Sequence, residues 1–544
     1  MSISEKCRQV FHYHESTKHQ PRRSAKSLGF LDWANQPNPF RFFKDSPLLR
    51  LPFIQKDSKA PHQDLFIPDK SHPQPYSLNL VAAIAELSLA LSAWKVVPGS
   101  KWSLRINPSS GNLHPTESYW ILPETQSLPE GFYHYNPYLH GLAQRGKWDP
   151  SLQQIVTDEF GSEGFFILLT SIFLRESWKY GERAYRYCNH DVGHALAALS
   201  FAAGLQGWQV TSLLASDDES LQKIMGGDRF RLPEGEQEEP DVICWLHPRG
   251  TNSPLKKIPE SIIETLSTSD QIGTPEPLTQ SIHPWPIIIQ TANACEKPQT
   301  EPVVIKYPEF EPLNLPESPL SAADIIRTRR SGVSFDPQKS EMSSPHFLGI
   351  LDATLPRPNH VPFDLEIGQP KIHLFIFVHR VTGLEPGLYA YLRDPASKSE
   401  LMQKSRPEFL WQAVTQKEPL YLLQAGDMQD LAARLSCQQE IAGESTFSLG
   451  MVAHFSENLQ KKPYQYKHLF WEGGMIGQVL YLQAEAYGFR GTGIGCFFDD
   501  LMHNVCGFKD THFQSLYHFT VGYPVEDSRI STRPPYFHLQ ESSG

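Results

Sequence analysis

The 544-residue sequence is short of several things, and each shortage removes a class of protein. No stretch approaches the roughly 18 consecutive apolar residues of a membrane-spanning helix. The opening, MSISEKCRQVFHYHESTKHQPRRS, lacks the apolar core of a secretory signal. The seven cysteines stand singly, without a CxxC pair or the Cys/His spacing of a zinc site, so neither a disulfide framework nor a bound metal is expected. Basic residues are the minority, 49 Lys and Arg against 60 Asp and Glu, and a net charge of −11 argues against a nucleic-acid surface. What remains is ordinary globular composition, 40% hydrophobic and 20% charged, in a chain long enough for several domains. A reducing cytoplasm is the natural setting, with no nucleic acid and no membrane as partner.

Residues 1–75 are polar and proline-punctuated, with Trp33, Phe40, Phe42 and Phe43 interspersed, and are expected to form an extended arm. Residues 78–94, LNLVAAIAELSLALSAW, carry apolar positions at helical spacing. Strands are expected at 118–122, from Gly131 onward and at 165–173, followed by a long helix over 182–206 and a closing apolar run, DVICWLHP. Residues 248–320 are rich in Pro, Ser, Thr and Glu and are expected to be a linker, with Trp285 to Ile289 partly docked. The domain expectation is an arm at 1–75, a domain at 76–250, a linker at 251–320 and a domain at 321–544.

The second domain repeats the first. Gly131, Tyr133 and Tyr135 reappear 256 residues on as Gly387, Tyr389 and Tyr391. Farther along, Tyr180, Gly193, Leu196, Gly204 and Gly207 reappear 284 residues on as Tyr464, Gly477, Leu480, Gly488 and Gly491. The change of offset implies about 28 extra residues in the second domain, a longer loop or helix. The order of elements is that of an α+β fold, a sheet packed by helices, built twice.

Three stretches could carry chemistry. Arg105 to Tyr119, RINPSSGNLHPTESY, is a proline-pinned polar loop feeding a β-rich run, a place to hold a flat polar ligand or simply a Ser/Gly/Asn turn. Ile325 to Phe335, IIRTRRSGVSF, sets two arginines and a serine in a row, which is either an anion site or a solvated helix end. Gly488 to Gly495, GFRGTGIG, follows a helix instead of opening one, so it is no dinucleotide fingerprint, but its backbone N–H groups could face an anion. To these is added Lys179-Tyr180, a cation beside a phenol, either capable of proton transfer if its pKa is lowered or else a surface lysine and a core aromatic. His190 and His194 lie four apart on a helix, but no third ligand accompanies them, and no metal is expected.

The loop PSSGNLHPTESYWIL resembles the flavin-contacting loop of the nitroreductase family, in particular of its SagB-type (thiazole/oxazole-forming) dehydrogenase branch, and YHESTKH resembles the lead-in of that branch. The resemblance implies two tandem nitroreductase-like domains forming an intramolecular pseudo-dimer that can stand as a monomer. It implies FMN as cofactor. Each half keeps what the other has lost: carried forward, PSSGN falls on DLEIG, and carried back, Arg-Arg-Ser falls on no arginine pair. Arg22-Arg23-Ser24 spells the triplet too far ahead of its loop to count. One composite site follows, in which Ser109, Ser110 and Asn112 meet the flavin ring, Arg329, Arg330 and Ser331 its phosphate, and Arg105 also contacts the cofactor. Gly491, Thr492 and Gly493 resemble the family's Gly-Thr-Gly turn. Relatives often carry a further basic residue where Val333 stands, and Arg529 or Arg533 would replace it. In azoline-oxidising relatives a Lys-Tyr pair at the place of Lys179 and Tyr180 is catalytic. The implied function is two-electron hydride transfer to or from a small-molecule or peptide substrate. The alternatives are a nicotinamide-dependent nitro or quinone reductase and a flavin-free scaffold subunit of a peptide-modifying complex.

Overall fold

The computed structural model describes the whole chain except residues 55–58, 69–71, 149–150, 162, 228–230, 252–254, 416, 418 and 542–544. Two seven-stranded sheets dominate it, one in each half. In the first, edge strand Leu48–Arg50 is followed by Gly141–Gly146, Gly131–Asn136, Thr116–Leu122, Phe165–Ser171, Glu239–Pro248 and Trp208–Ser212. In the second, edge strand Gln412–Ala413 is followed by Leu420–Ala425, Gly387–Tyr391, Ile372–Val378, Phe447–His454, Phe513–Gly522 and Arg490–Ile494. The sequential order of the six main strands is the same in both sheets, and every pairing is antiparallel. The central strands are buried on both faces, which is why they read as continuous apolar runs rather than as alternating ones.

Helix Ala184–Leu205 is buried along its full length because it packs against its repeat, helix Gln465–Ala486. Small residues let the two backbones touch. A Cβ on Gly193 would stand 2.2 Å from the carbonyl oxygen of Trp471, and one on Gly474 would stand 2.2 Å from that of His190. Polar groups at the seam are paired: the Trp471 indole donates to Asn189 Oδ1 at 3.0 Å, and His194 Nδ1 lies 3.3 Å from Gln478 Oε1. The two halves thus form an intramolecular pseudo-dimer.

Other segments cross between the halves. The stretch expected to be an extended arm opens with helix Ile3–Ser16, started by a Ser2/Glu5 capping box. Its His14 sits between Tyr466 Oη at 3.3 Å and Gln514 Oε1 at 3.1 Å, while Tyr13 Oη donates to the Glu182 carbonyl at 2.8 Å. The stretch expected to be linker contains helices Glu260–Ser267 and Pro286–Ala294. The helix expected over 78–94 ends at Ser88. Leu91–Val97 instead forms a small sheet with Ser100–Arg105 and the C-terminal strand Ser531–Arg533, because Trp94, Val96 and Val97 find strand partners there that the helical pattern could not foresee.

Candidate functional site

The loop after Arg105 is shaped by three left-handed residues within four positions. Gly111, Asn112 and His114 all take left-handed φ near +55 to +60°. Asn112 Nδ2 donates to the Ser103 carbonyl at 2.9 Å and its Oδ1 lies 2.9 Å from His114 Nε2, while Ser109 Oγ accepts the His114 N–H at 2.8 Å. From below, Arg175 donates to the His114 carbonyl at 2.7 Å and to Glu117, whose other oxygen meets His134 at 2.7 Å. Ser110 is tied to the interface helix, its N–H and hydroxyl both donating to Asp191 Oδ1, at 3.0 and 3.1 Å.

Across from this loop stand groups of the second half. Helix Ala322–Thr328 ends just before Arg329, whose buried guanidinium donates to the carbonyls of Arg105 at 2.8 Å and Ile106 at 2.9 Å and lies over the Tyr481 ring. Its Nε is buried without a hydrogen-bond partner. Arg330 reaches the Ser92 carbonyl at 2.9 Å. Ser331 and Gly491 pair as adjacent strands do, and Ser331 Oγ lies 2.9 Å from Tyr481 Oη. Thr492 Oγ1 donates to the Gly332 carbonyl at 2.7 Å, and the Gly493 N–H donates to Tyr481 Oη at 2.9 Å. The glycine cluster is a strand, not a turn. Its glycines make room for rings: a Cβ on Gly493 would stand 1.9 Å from Tyr517 Oη and one on Gly495 would stand 2.2 Å from the Tyr187 ring.

Both sets of groups line one cavity of about 870 Å³ between the halves. One part gathers Lys95, Arg330, Arg490 and Arg529, with Glu526 paired to Arg490 and Asp527 to Arg529. The other end holds Tyr180, Tyr187, Asp191 and Cys496. Of the residues singled out in the sequence, Ser109, Ser110, Asn112, Arg329, Arg330, Ser331, Thr492, Gly493, Arg529, Arg105 and Tyr180 line it. Gly491 stands behind it, against Ser331 and the Phe519 ring.

Three expectations need correction. Arg533 lies away from the cavity, because its strand pairs with Trp94 in the small sheet. Arg105 turns its side chain to the Pro39 carbonyl and the Phe40 ring, and what it gives the site is the carbonyl that holds Arg329. Lys179 is half-buried but does not line the cavity, its ammonium lying 5.2 Å from the centre of the Tyr180 ring. Burial pushes the Tyr180 phenol well above its ordinary pKa, followed by the charge of Glu176. Tyr180 is therefore a proton holder, not a base; lowering by burial applies to lysine and is the wrong sign for a phenol.

Asp191 was missed in the sequence, where it sits inside an apolar helical string. Burial raises its carboxyl to about 7, against the hydrogen bonds from Ser109 and Ser110. The buried Glu176 nearby is also pushed well up, first by burial and then by Asp191. A lone acid in a helix whose every residue is buried is a signal, but only once burial is known.

The matching place in the repeat is reduced. There a cavity of about 300 Å³ is lined by Tyr464 and Ser212, which stand in the repeat where Tyr180 and Cys496 stand in the larger one, and by residues from Thr300 to Tyr307. In the place of Ser331, the first half has Gln74 and its neighbour Pro73, packed on Gly207 with the Trp208 indole donating to the Gln74 carbonyl at 2.8 Å. No arginine stands there.

For metals, His190 and His194 are packed against Tyr517, His194 Nε2 lying 3.2 Å from its hydroxyl. Among the described residues, Glu400, His454 and His512 bring ligand atoms within 4.8 Å of one another, outside the large cavity. Their wide spacing in the chain hides the group from a motif search.

The comparisons bear on this architecture. Residues 70–235 match the nitroreductase family model. A protein of Methanocaldococcus jannaschii that carries the nitroreductase name is 27% identical over 132 residues, 22% of this chain and 62% of that protein. The match thus spans less than two thirds of that relative. A crystal structure from Anabaena variabilis under the same name covers 95% of this chain and 99% of its own, at 22% identity and a TM-score of 0.67. Another, from Ralstonia eutropha, covers 37% of this chain and 82% of its own, at 15% identity and a TM-score of 0.26. The nitroreductase-like fold therefore extends over both halves, while the family model itself falls on the first.

Proposed function

We propose that the protein is an FMN-dependent oxidoreductase that transfers two electrons, as hydride, at a single composite site, in the manner of SagB-type dehydrogenases. The observation that carries this reading is the convergence in one cavity of the polar loop of the first half with the Arg-Arg-Ser and Gly-Thr-Gly elements of the second. The residues fit the cofactor. Arg329 keeps an unpaired Nε, and Lys95 and Arg330 stand with it as cations suited to a phosphate dianion, each charge-assisted hydrogen bond being worth roughly 1.5–3 kcal/mol, while Arg490 is already paired with Glu526. Val333 leaves one basic position empty and Arg529 stands at the same end, its guanidinium shared with Asp527 at 2.7 Å.

Bound there, FMN would supply the hydride chemistry. The chain's own part is to orient and to manage protons. Ser109, Ser110, Gly111 and Asn112 wall the ring side, held rigid by Arg175 and Asp191. Tyr180 Oη, packed on Gly111, keeps its proton at neutral pH and can donate it. Asp191, with a pKa raised to about 7, can hold or release a proton near neutrality. Lys179, whose ammonium lies over the Tyr180 ring, is a positioning residue. The substrate is a small molecule or peptide segment lying at the Tyr180 end.

The test is an absorption spectrum of the purified protein with flavin released and counted. About one FMN per chain is expected. Two would mean that the smaller cavity also binds it, and none after incubation with excess FMN would overturn the reading.

A further inference from the structure

We propose that Cys437 and Cys496 form a redox-active dithiol at the edge of the large cavity, in which Cys496 meets a low-molecular-weight disulfide and Cys437 resolves the product into an internal disulfide. The sequence gives no hint of this, since the two cysteines are 59 residues apart. In the structure their sulfurs lie 2.7 Å from one another, nearer than two unrelated thiols pack. The placement is a built one. Cys437 stands in the turn after helix Gln429–Leu435, between strands Leu420–Ala425 and Phe447–His454. That turn holds two consecutive left-handed residues, Cys437 at φ 54° and Gln438 at φ 62°, a conformation costly for side chains other than glycine. It is pinned at both sides, the Phe498 N–H donating to the Leu435 carbonyl at 2.8 Å and Gln439 Nε2 to the Cys496 carbonyl at 3.2 Å.

The two sulfurs are not equivalent. Cys496 lines the cavity beside Tyr180 and Tyr187, and Cys437 does not. Arg183 donates to the Gly495 carbonyl at 3.0 Å, which brings a guanidinium to the Cys496 side. The sulfur contact first, and Arg183 after it, hold the Cys496 thiol below its usual range, while the same contact pushes Cys437 up. Four of the other five cysteines are buried, and Cys7 stands alone.

The exchange balances without a further oxidant. The Cys496 thiolate attacks one sulfur of the small disulfide, forming a mixed disulfide and releasing one thiol. Cys437 then loses its proton and attacks Cys496 Sγ, closing the internal disulfide and releasing the second thiol. Two protein thiols are oxidised and one small disulfide becomes two thiols. None of this depends on the flavin reading.

The test treats the full-length protein, as purified and reduced, with oxidised glutathione, followed by alkylation under denaturing conditions and peptide mapping. Loss of the Cys437 and Cys496 thiols together, with a peptide cross-linked through both, is the expected result. Cys437→Ser should instead accumulate glutathione on Cys496, and Cys496→Ser should leave Cys437 unmodified. Retention of both thiols in the wild type, which requires no variant to fold, would overturn the proposal. So would separate glutathione adducts on each without a cross-link.

Discussion

Asp191 Oδ1 accepts two hydrogen bonds from Ser110 and still has its carboxyl raised to about 7 by burial. The sign follows from linkage. Between the ordinary carboxyl range and about 7 the folded state keeps a proton that the unfolded state has lost, so stability falls as pH rises, by up to about 1.4 kcal/mol per pH unit for this group. Asp191→Asn should flatten that part of the pH–stability curve, measured by urea unfolding from pH 4 to 8. An unchanged slope would show that Asp191 titrates normally. Asp241, raised likewise to about 7, supplies a separate contribution and should persist in the variant. At the other end of the cavity, Arg329→Ala should weaken FMN binding about ten- to hundredfold by fluorescence quenching, the loss of one charge-assisted contact or more. Arg533→Ala should leave it unchanged, because that side chain belongs to the small sheet. In the sequence Arg529 and Arg533 are equal candidates for the basic group missing at Val333; the pairing of the C-terminal strand with residues near Trp94 separates them.

The paired interface helices are the element on which the composite site depends, since one carries Asp191 and the other Tyr481. Gly474→Ala would force a Cβ into the His190 carbonyl at 2.2 Å, with only backbone on the other side to yield. The expected cost is about 1–3 kcal/mol, read as a lower melting temperature together with weaker FMN binding. Loss of stability alone, with binding intact, would mean that the seam does not set the site. Much of the element order was legible in the sequence, because strands buried on both faces leave continuous apolar runs and because the repeat supports each assignment twice. The end of helix Leu78–Ser88 was not legible. The residues after it are as apolar as those within it, and what turns them into a strand is a hairpin with Ser100–Arg105, joined by Ser531–Arg533 from more than 400 positions away. The same physics hid the Cys437–Cys496 contact and the Glu400, His454 and His512 group, which exist only once distant strands are brought together.

For the molecule as a whole, the two halves share a seam, a cavity, an N-terminal helix and a C-terminal strand, so they should unfold in one transition. FMN at about 100 times its dissociation constant should raise the stability of that transition by about 2.7 kcal/mol. Differential scanning calorimetry with and without FMN tests this: two transitions, of which FMN shifts one, would show that the halves melt independently. The two sheets share one strand order, yet the residues that line the large cavity divide unevenly between the halves. The smaller cavity is lined by residues from Thr300 to Tyr307. Finally, the helix Ile3–Ser16 has a consequence for the order of events during synthesis. His14 leaves the ribosome 500 residues ahead of its partner Gln514. At about 5–20 residues per second that is an interval of about 25–100 s. Through all of it the apolar side of this helix, Phe11 and Tyr13 included, has no finished surface to rest on. A helix made this far ahead of its partners is seated late, and during that wait it is a part of the nascent chain that a chaperone would find exposed.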